Sequence, residues 1–352
     1  MTKLNRRSLL RRLAFGRESA DKSLKKPPQK HILVCVFLRG GADTLNMIIP
    51  NGDDSYFRAR PTLGIKTARK GDTNKDLAVA INDFYSFHPR MRLLLPAFEE
   101  ERLLIVQSVG SDNTSGSHFE AQDQMEHGEM FGRSLTGGWL GRHLYATSNE
   151  GGSPFSAVSL GVSIPESLRG APSVTAISAM EDIRLDTGGA GQGATKAALA
   201  ALYGNNQDYL GRAGEETLAL LTRVEALGGT SYKPENGADY GDSDFAAHMR
   251  EVARIAKAGI GLEVACVDLG GWDTHFFQGA ADGLQAGLIE TLAQGLSAFD
   301  KDVASMKGRI TTLLITEFGR RTYENSSMGT DHGRGFALIA IGRRIKGGRV
   351  LG

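Results

Sequence analysis

Continuous apolar segments recur along the chain, and segments with helical spacing of apolar residues lie between them. The first, His31–Leu38 (HILVCVFL), has no polar face, which is typical of a strand buried on both sides in a parallel sheet. Five later segments have the same character and are also predicted to be strands: Leu103–Val109, Phe155–Leu160, Val264–Leu269, Ile310–Ile315 and Phe336–Ile341.

Helical patterns occupy the intervals, as in Met91–Glu100, His118–Met130 and the stretch from Leu284 to Val303. Alternating strands and helices predict an α/β fold with a doubly wound, mostly parallel sheet flanked by helices. Residues 190–260 are mainly polar and helical, with a glycine-rich stretch at 228–241, and are predicted to be a helical insertion between strands.

Residues 1–30 differ from the rest and are interpreted as a basic arm and linker, followed by one domain at 31–352. This arm carries ten Lys/Arg and two Asp/Glu. Asn5–Leu10 (NRRSLL) is similar to a twin-arginine export motif, but Arg11 and Arg12 interrupt the apolar core that an export signal needs. Two interpretations stay open: a working signal and a periplasmic or exported protein, or a basic arm on a cytoplasmic one.

Charge and composition narrow the classes of function. The net charge is +1, so residues 31–352 carry −7 once the +8 of the arm is removed. An acidic body argues against a nucleic-acid partner and suits binding of divalent cations. No apolar run is long enough to cross a membrane.

Cys35 and Cys266 each lie in a predicted strand and are expected to be buried free thiols, although neighbouring strands could bring them together as a disulfide.

Candidate ligands for a metal ion follow the predicted strands, at the sheet end where ligands of open α/β folds bind. Four loops combine glycine with acidic or histidine residues: RGGADTLN at 39–46, GGWDTH at 270–275, TEFGRR at 316–321 and GTDHGRG at 329–335. Carboxylates and imidazoles suit Zn²⁺, Mn²⁺ or Mg²⁺. We predict one or two divalent ions, held by a set drawn from Asp43, Asp273, His275, Glu317, Asp331 and His332.

Ser117 is the candidate nucleophile, because it follows a strand and opens a helix. A hydroxyl at a helix N-terminus lies near free amides that attract phosphate or sulfate, and a metal ion could activate it. Its spacing from Glu120 is equally that of a helix cap, which explains the residue without catalysis. Arg39 and Arg320 are predicted to hold an anionic substrate or to neutralise the acidic cluster, as is Arg334.

These motifs together resemble a bacterial domain-of-unknown-function family that often carries twin-arginine signals and is grouped with the alkaline phosphatase and sulfatase superfamily. Singly they are common, but as an ordered set they are specific to that family. The matching segments are RGGAD at 39–43, SHFEAQ at 117–122, GGWLGR at 137–142, GGWDTH at 270–275, EFGR at 317–320 and GTDHG at 329–333.

The superfamily resemblance implies two metal positions beside a Ser, Thr or formylglycine nucleophile. By position, Asp43 resembles the first-strand ligand, and Asp273, His275 and His332 resemble the ligands of the other metal. Glu317 replaces an Asp-His pair, which leaves the second metal in question. Family members generally continue by some tens of residues past Gly352, so we expect either a missing terminal element or a shortened variant.

The leading functional prediction is a metal-dependent hydrolase of small anionic phosphate or sulfate esters. The alternative is a catalytically inactive member of the superfamily that binds another protein or a surface. Glu317 and the capping position of Ser117 favour that alternative.

Overall fold

The computed structural model describes residues 30–128, 136–147, 153, 155–183, 185, 191–205, 208–227 and 232–352. The basic arm and its export-like motif lie outside this part of the chain. The α-helices described are α1 (Thr44–Met47), α2 (Asp54–Ala59), α3 (Leu95–Glu99), α4 (His118–His127), α5 (Trp139–Thr147), α6 (Gln192–Gly204), α7 (Tyr209–Leu227), α8 (Asp244–Ala258) and α9 (Leu284–Asp302). Short 3₁₀ helices lie at Pro89–Leu94, Glu166–Leu168, Met180–Asp182 and Ala304–Met306.

Eight strands form the main sheet, in the order β11-β5-β10-β9-β1-β8-β6-β7. They are β1 (Ile32–Leu38), β5 (Leu103–Val109), β6 (Ala157–Leu160), β7 (Thr175–Ile177), β8 (Val264–Leu269), β9 (Ile310–Ile315), β10 (Phe336–Ile341) and β11 (Arg349–Leu351). A small second sheet pairs β2 (Ile48–Ile49), β3 (Val79–Ala80) and β4 (Ser86–Phe87).

The mixed α/β fold with a mostly parallel sheet is as predicted, and all six predicted strands are present. The strands β7 and β11 were not predicted, because each has only three residues and no long apolar run. Helices α6, α7 and α8 occupy most of the range predicted as a helical insertion, parts of which lie outside the described residues.

The central strand β1 is buried on both faces because helices cover both sides of the sheet. Val34 and Val36 pack into a cluster with residues of α8 and α9. Cys35 and Phe37, which point the other way, pack with Leu140 and Leu144 of α5. This explains why the sequence shows a continuous apolar run rather than alternation.

The two thiols lie on neighbouring strands, with Cys35 paired in register to Cys266. Both are free and buried, and burial raises the pKa of Cys35 to about 12. The prediction of buried free thiols is therefore confirmed.

Among the described residues, no helix combines the length and apolarity needed to span a bilayer.

Strand direction determines which loops meet. Every pairing in the main sheet is parallel except those of β10, which runs antiparallel to β5 and β9. The start of β10 therefore lies at the edge where the other strands end. The loop before β10 reaches the same edge as the loops after β1, β5, β8 and β9.

Candidate metal centre

A single buried arginine joins the loops at this edge. The guanidinium of Arg320 donates hydrogen bonds to the carbonyl oxygens of Gly41 (2.5 Å), Gly40 (2.5 Å), Trp272 (3.1 Å) and Thr330 (2.8 Å). These carbonyls belong to the loops after β1 and β8 and before β10, and Arg320 itself follows β9. All four predicted loops are thus fixed to one another.

Close backbone approach requires glycine in these loops. A Cβ at Gly329 would lie 2.2 Å from the carbonyl oxygen of His275, and one at Gly40 would lie 2.6 Å from the amide nitrogen of Asp273. Real side chains do not tolerate such separations. Gly40 also has a positive φ of 117°, which glycine adopts without strain.

Three imidazoles face one carboxylate oxygen at this edge. The Oδ1 atom of Asp273 lies 3.4 Å from Nε2 of His118, 3.1 Å from Nε2 of His275 and 3.3 Å from Nε2 of His332. The Nε2 atoms of His275 and His332 are 2.9 Å apart. Of the predicted ligands, the structure therefore brings Asp273, His275 and His332 together, and it adds His118.

The other ring nitrogen of each histidine is held by an acceptor. Nδ1 of His118 lies 2.8 Å from the Glu317 carboxylate, and Nδ1 of His275 lies 3.1 Å from Asp331. Nδ1 of His332 lies 2.7 Å from the carbonyl oxygen of Gly116. Since carbonyls and ionised carboxylates only accept, each Nδ1 must donate, which leaves the Nε2 lone pairs of the neutral rings pointing inward.

This arrangement fits a metal ion on two counts. Nε2 of His118 is buried without a hydrogen-bond partner, which is costly unless another species satisfies it. The ligand atoms of His118, Asp273 and His332 all lie within 4.8 Å of one another. Donors bound to a tetrahedral ion at 2.0–2.1 Å would lie about 3.3 Å apart, close to the separations of 3.1–3.4 Å between Asp273 Oδ1 and the three Nε2 atoms. Two neutral nitrogens at 2.9 Å repel through their lone pairs unless a cation or proton lies between them.

The charge states agree with a ligand set. Burial by itself raises the pKa of Asp273, but the hydrogen bond and the positive charge of Arg320 outweigh this effect and lower the pKa to about 2. Burial is also the main reason why the pKa of His332 lies below its ordinary value. The site therefore combines an ionised carboxylate with a neutral imidazole, the forms that bind metal.

Asp43 does not join this cluster in the structure. Its two carboxylate oxygens accept from the guanidinium of Arg60 at 2.5 and 2.9 Å, and Oδ2 also accepts from the amide of Gln278 at 2.7 Å. Both Asp43 and Arg60 are buried. The predicted ligand is instead half of a buried ion pair that fixes the start of α1, and its lone pairs are occupied by protein donors.

Glu317 and Asp331 lie behind the ligands rather than among them. Glu317 is fully buried and accepts from the Gly40 amide at 2.9 Å and the Gln122 amide at 3.0 Å, in addition to His118. Burial tends to raise the pKa of Glu317, but these hydrogen bonds lower it overall. Each carboxylate therefore fixes the ring orientation and tautomer of one histidine through its Nδ1–H, as carboxylates behind the ligands of metal sites do.

Two of the three arginines predicted to hold an anion are committed to protein groups. Arg39 donates to Asp268 at 2.6 Å and Glu126 at 2.5 Å, and Arg320 uses its donors on carbonyls and on Asp273 (2.7 Å). Arg334 and Arg321 are exposed. Nε of Arg321 lies 3.4 Å from the carbonyl oxygen of His332, and its Nη1 donates to the Tyr323 hydroxyl, so this guanidinium lies beside the histidine cluster.

Ser117 forms the helix cap that its spacing predicts. Its hydroxyl accepts from the Glu120 amide at 3.5 Å at the start of α4. It directly follows Gly116, whose carbonyl holds His332. The capping function is therefore present, and the serine lies one residue from the carbonyl that holds His332 of the cluster.

Three residues at or near this site are absent from the set predicted from the sequence. His118 had a usable signal, because it opens a helix after β5, whose carboxyl end lies at the same edge as those of β1, β8 and β9. Gln122, one turn later, joins Arg39 to Glu317 through its amide. Arg60 had no signal, because it lies among several charged residues in a short helix and loop, and only the fold brings it to Asp43.

Residues 30–352 match the family profile described as "Protein of unknown function (DUF1501)". The chain belongs to the DUF1501 family. The match covers all the segments that carry the resemblance, from the loop after β1 to the loop before β10. A search of curated proteins finds no match to this DUF1501 protein.

Proposed function

We propose that this protein is a metal-dependent hydrolase of phosphate or sulfate esters that uses one divalent ion, held by three ligands from the cluster of His118, Asp273, His275 and His332, with one coordination position left for water or substrate. The observation that carries this proposal is the convergence of three inward-facing Nε2 atoms on Asp273 Oδ1 at 3.1–3.4 Å. Three imidazoles and one carboxylate suit Zn²⁺ better than Mg²⁺, which prefers oxygen ligands.

The bound ion would supply Lewis acidity and lower the pKa of water at neutral pH. The side chains supply the rest. Glu317 and Asp331 fix the tautomers of His118 and His275 through hydrogen bonds to Nδ1, and Arg320 holds Asp273. Asp273 is about half exposed, so the centre is open to a substrate, and Arg321 offers a cation for the ester anion.

The relationship to the alkaline phosphatase and sulfatase superfamily is part of this proposal, with one change. That superfamily implies two ions, but Asp43 and Glu317 are saturated by protein donors here. We therefore infer a single ion rather than two. The attacking group is then either Ser117 or water. Ser117 can attack only if its hydroxyl is released from the long 3.5 Å hydrogen bond that it accepts from the backbone amide of Glu120.

A second candidate function is a binding protein that keeps the metal for structure alone. Its support is that Arg39, Arg320 and Ser117 all have complete structural explanations. In that case four protein ligands would close the coordination sphere, as in structural zinc sites. The two functions differ in whether the metal-loaded protein turns over esters.

The test is metal analysis of the purified full-length chain, followed by turnover of p-nitrophenyl phosphate and p-nitrophenyl sulfate with Zn²⁺, Mn²⁺ or Mg²⁺. We expect about one Zn²⁺ per chain, turnover of at least one ester, and loss of both in Asp273→Asn. His143→Gln in α5 is the control, since His143 is outside the cluster. A protein that binds zinc stoichiometrically but hydrolyses neither ester would refute the hydrolase and favour the structural-metal protein.

A further inference from the structure

Exposed aromatic side chains directly follow two of the metal-facing histidines. Phe119 follows His118 in the first turn of α4 and is 86% exposed. Phe276 follows His275 and is 66% exposed, and the centroid of its ring lies 6.3 Å from that of the His275 ring. Singly exposed apolar side chains are common on protein surfaces, but here two aromatic ones each adjoin a histidine of the same cluster.

Hydrogen bonds brace the backbone of the loop that carries Phe276 and Phe277. Phe277, also 66% exposed, has a positive φ of 46°, which is rare for a bulky residue. Two hydrogen bonds hold the loop that carries it. The backbone amide of Phe277 donates to the Ser327 carbonyl at 2.9 Å, and the side-chain amide of Asn325 donates to the His275 carbonyl at 3.0 Å. The backbone of this loop is therefore held in place next to His275.

The order of polar and apolar groups indicates what this surface accommodates. A protein–protein interface has an apolar centre and a polar rim. Here the centre is charged, with half-exposed Asp273 and exposed Arg321, and the apolar groups stand beside it. That order matches a small amphiphilic molecule whose charged end reaches the metal centre while an apolar body lies on the aromatic rings.

We propose that Phe119 and Phe276 bind an aromatic or similarly bulky apolar group of the substrate, next to its phosphate or sulfate. This specificity rests on the proposed function, because it assumes that the anionic end meets the metal centre. Small esters without an apolar group, and free inorganic anions, are then poor ligands.

The test compares phenylphosphonate with methylphosphonate, two non-hydrolysable anions that differ in the apolar group. Binding to the zinc-loaded full-length protein is measured by titration calorimetry. We expect phenylphosphonate to bind about tenfold more tightly. Phe119→Ala and Phe276→Ala should each reduce this ratio to about threefold or less, with zinc content and methylphosphonate affinity unchanged. Leu93→Ala, an exposed apolar residue on the 3₁₀ helix Pro89–Leu94, is the control and should leave the ratio intact.

Equal affinities for the two phosphonates, or no binding of either, would overturn the proposal. So would a tenfold ratio that survives both phenylalanine substitutions. If sedimentation shows that these variants convert a dimer to a monomer without changing the ratio, the rings form an interface between copies and the proposal is wrong. A phenyl preference without ester turnover refutes the hydrolase alone, whereas turnover without a phenyl preference refutes only this specificity.

Discussion

Glu317→Gln separates the charge of a buried carboxylate from its shape. The amide oxygen of glutamine can accept the three N–H groups that Glu317 Oε1 now accepts, from Gly40, His118 and Gln122. The new NH₂ group would lie where Oε2 is 3.0 Å from the Thr316 hydroxyl, which can accept from it. We therefore expect the fold and the His118 tautomer to be retained.

Two effects of this substitution have opposite signs. Metal affinity should fall about 10–100-fold, or about 1.4–2.7 kcal/mol, because His118 loses the charged acceptor that orients its ring through Nδ1. The metal-free protein should be as stable or more stable. Three charge-assisted hydrogen bonds weaken by roughly 1 kcal/mol each, but removing an unpaired buried charge recovers a desolvation cost of several kcal/mol.

Affinity is measured by competition with a chromophoric zinc chelator, and stability by thermal melting of the metal-free protein. The matched control is Asp302→Asn. Asp302 is also fully buried and accepts from Tyr232, Tyr240 and Lys257, but it lies at the end of α9. The control should lose stability and keep its zinc affinity. An unchanged zinc affinity in Glu317→Gln would contradict the role given to Glu317 and weaken the assignment of His118 as a ligand.

Three further substitutions test other parts of the structure. Ser117→Ala should cost about 1 kcal/mol through loss of the helix cap; turnover within threefold of wild type would exclude Ser117 as nucleophile, and loss of turnover with zinc retained would establish it. Arg60→Met leaves Asp43 buried without its partner and should lower the free energy of unfolding by about 3–5 kcal/mol in urea titrations; a loss under 1 kcal/mol would contradict the importance of this pair. His88 is buried, with Nε2 donating to Ala280 and Nδ1 accepting from the Arg90 amide, and burial lowers its pKa to about 4. Because the unfolded chain then binds the extra proton, stability should be complete above about pH 6.5 and fall by up to about 3 kcal/mol towards pH 4; His88→Gln should flatten this pH dependence, and an unaltered slope in urea titrations would show that another group causes it.

The sheet could be predicted from the sequence because its strands are continuous apolar runs that need cover on both faces. The convergence of the loops after β1, β8 and β9 follows from parallel strand direction alone. The position of His332 does not, because it precedes a strand and reaches the same edge only through the antiparallel direction of β10. Nothing in the local sequence of Phe336–Ile341 specifies that direction.

Residue roles were harder to predict than residue positions. Asp43, Glu317 and Arg320 all lie near the centre, as expected, but their partners come from distant parts of the chain. Glu317, for example, binds groups separated from it by 277 and 199 residues. A carboxylate that binds metal and one that supports a ligand have the same local sequence signature. Only the spatial neighbours, such as Arg60 for Asp43, distinguish them.

The single guanidinium that ties four loops together also constrains how this protein can change. A ligand on any one loop is positioned relative to a shared anchor, so a shift in one loop is transmitted to the others through Arg320. Loss of that anchor would release several ligands at once, and the centre would form or fail as a unit. Variation among relatives should therefore be easier at the exposed rings beside the centre than in the loops that Arg320 holds.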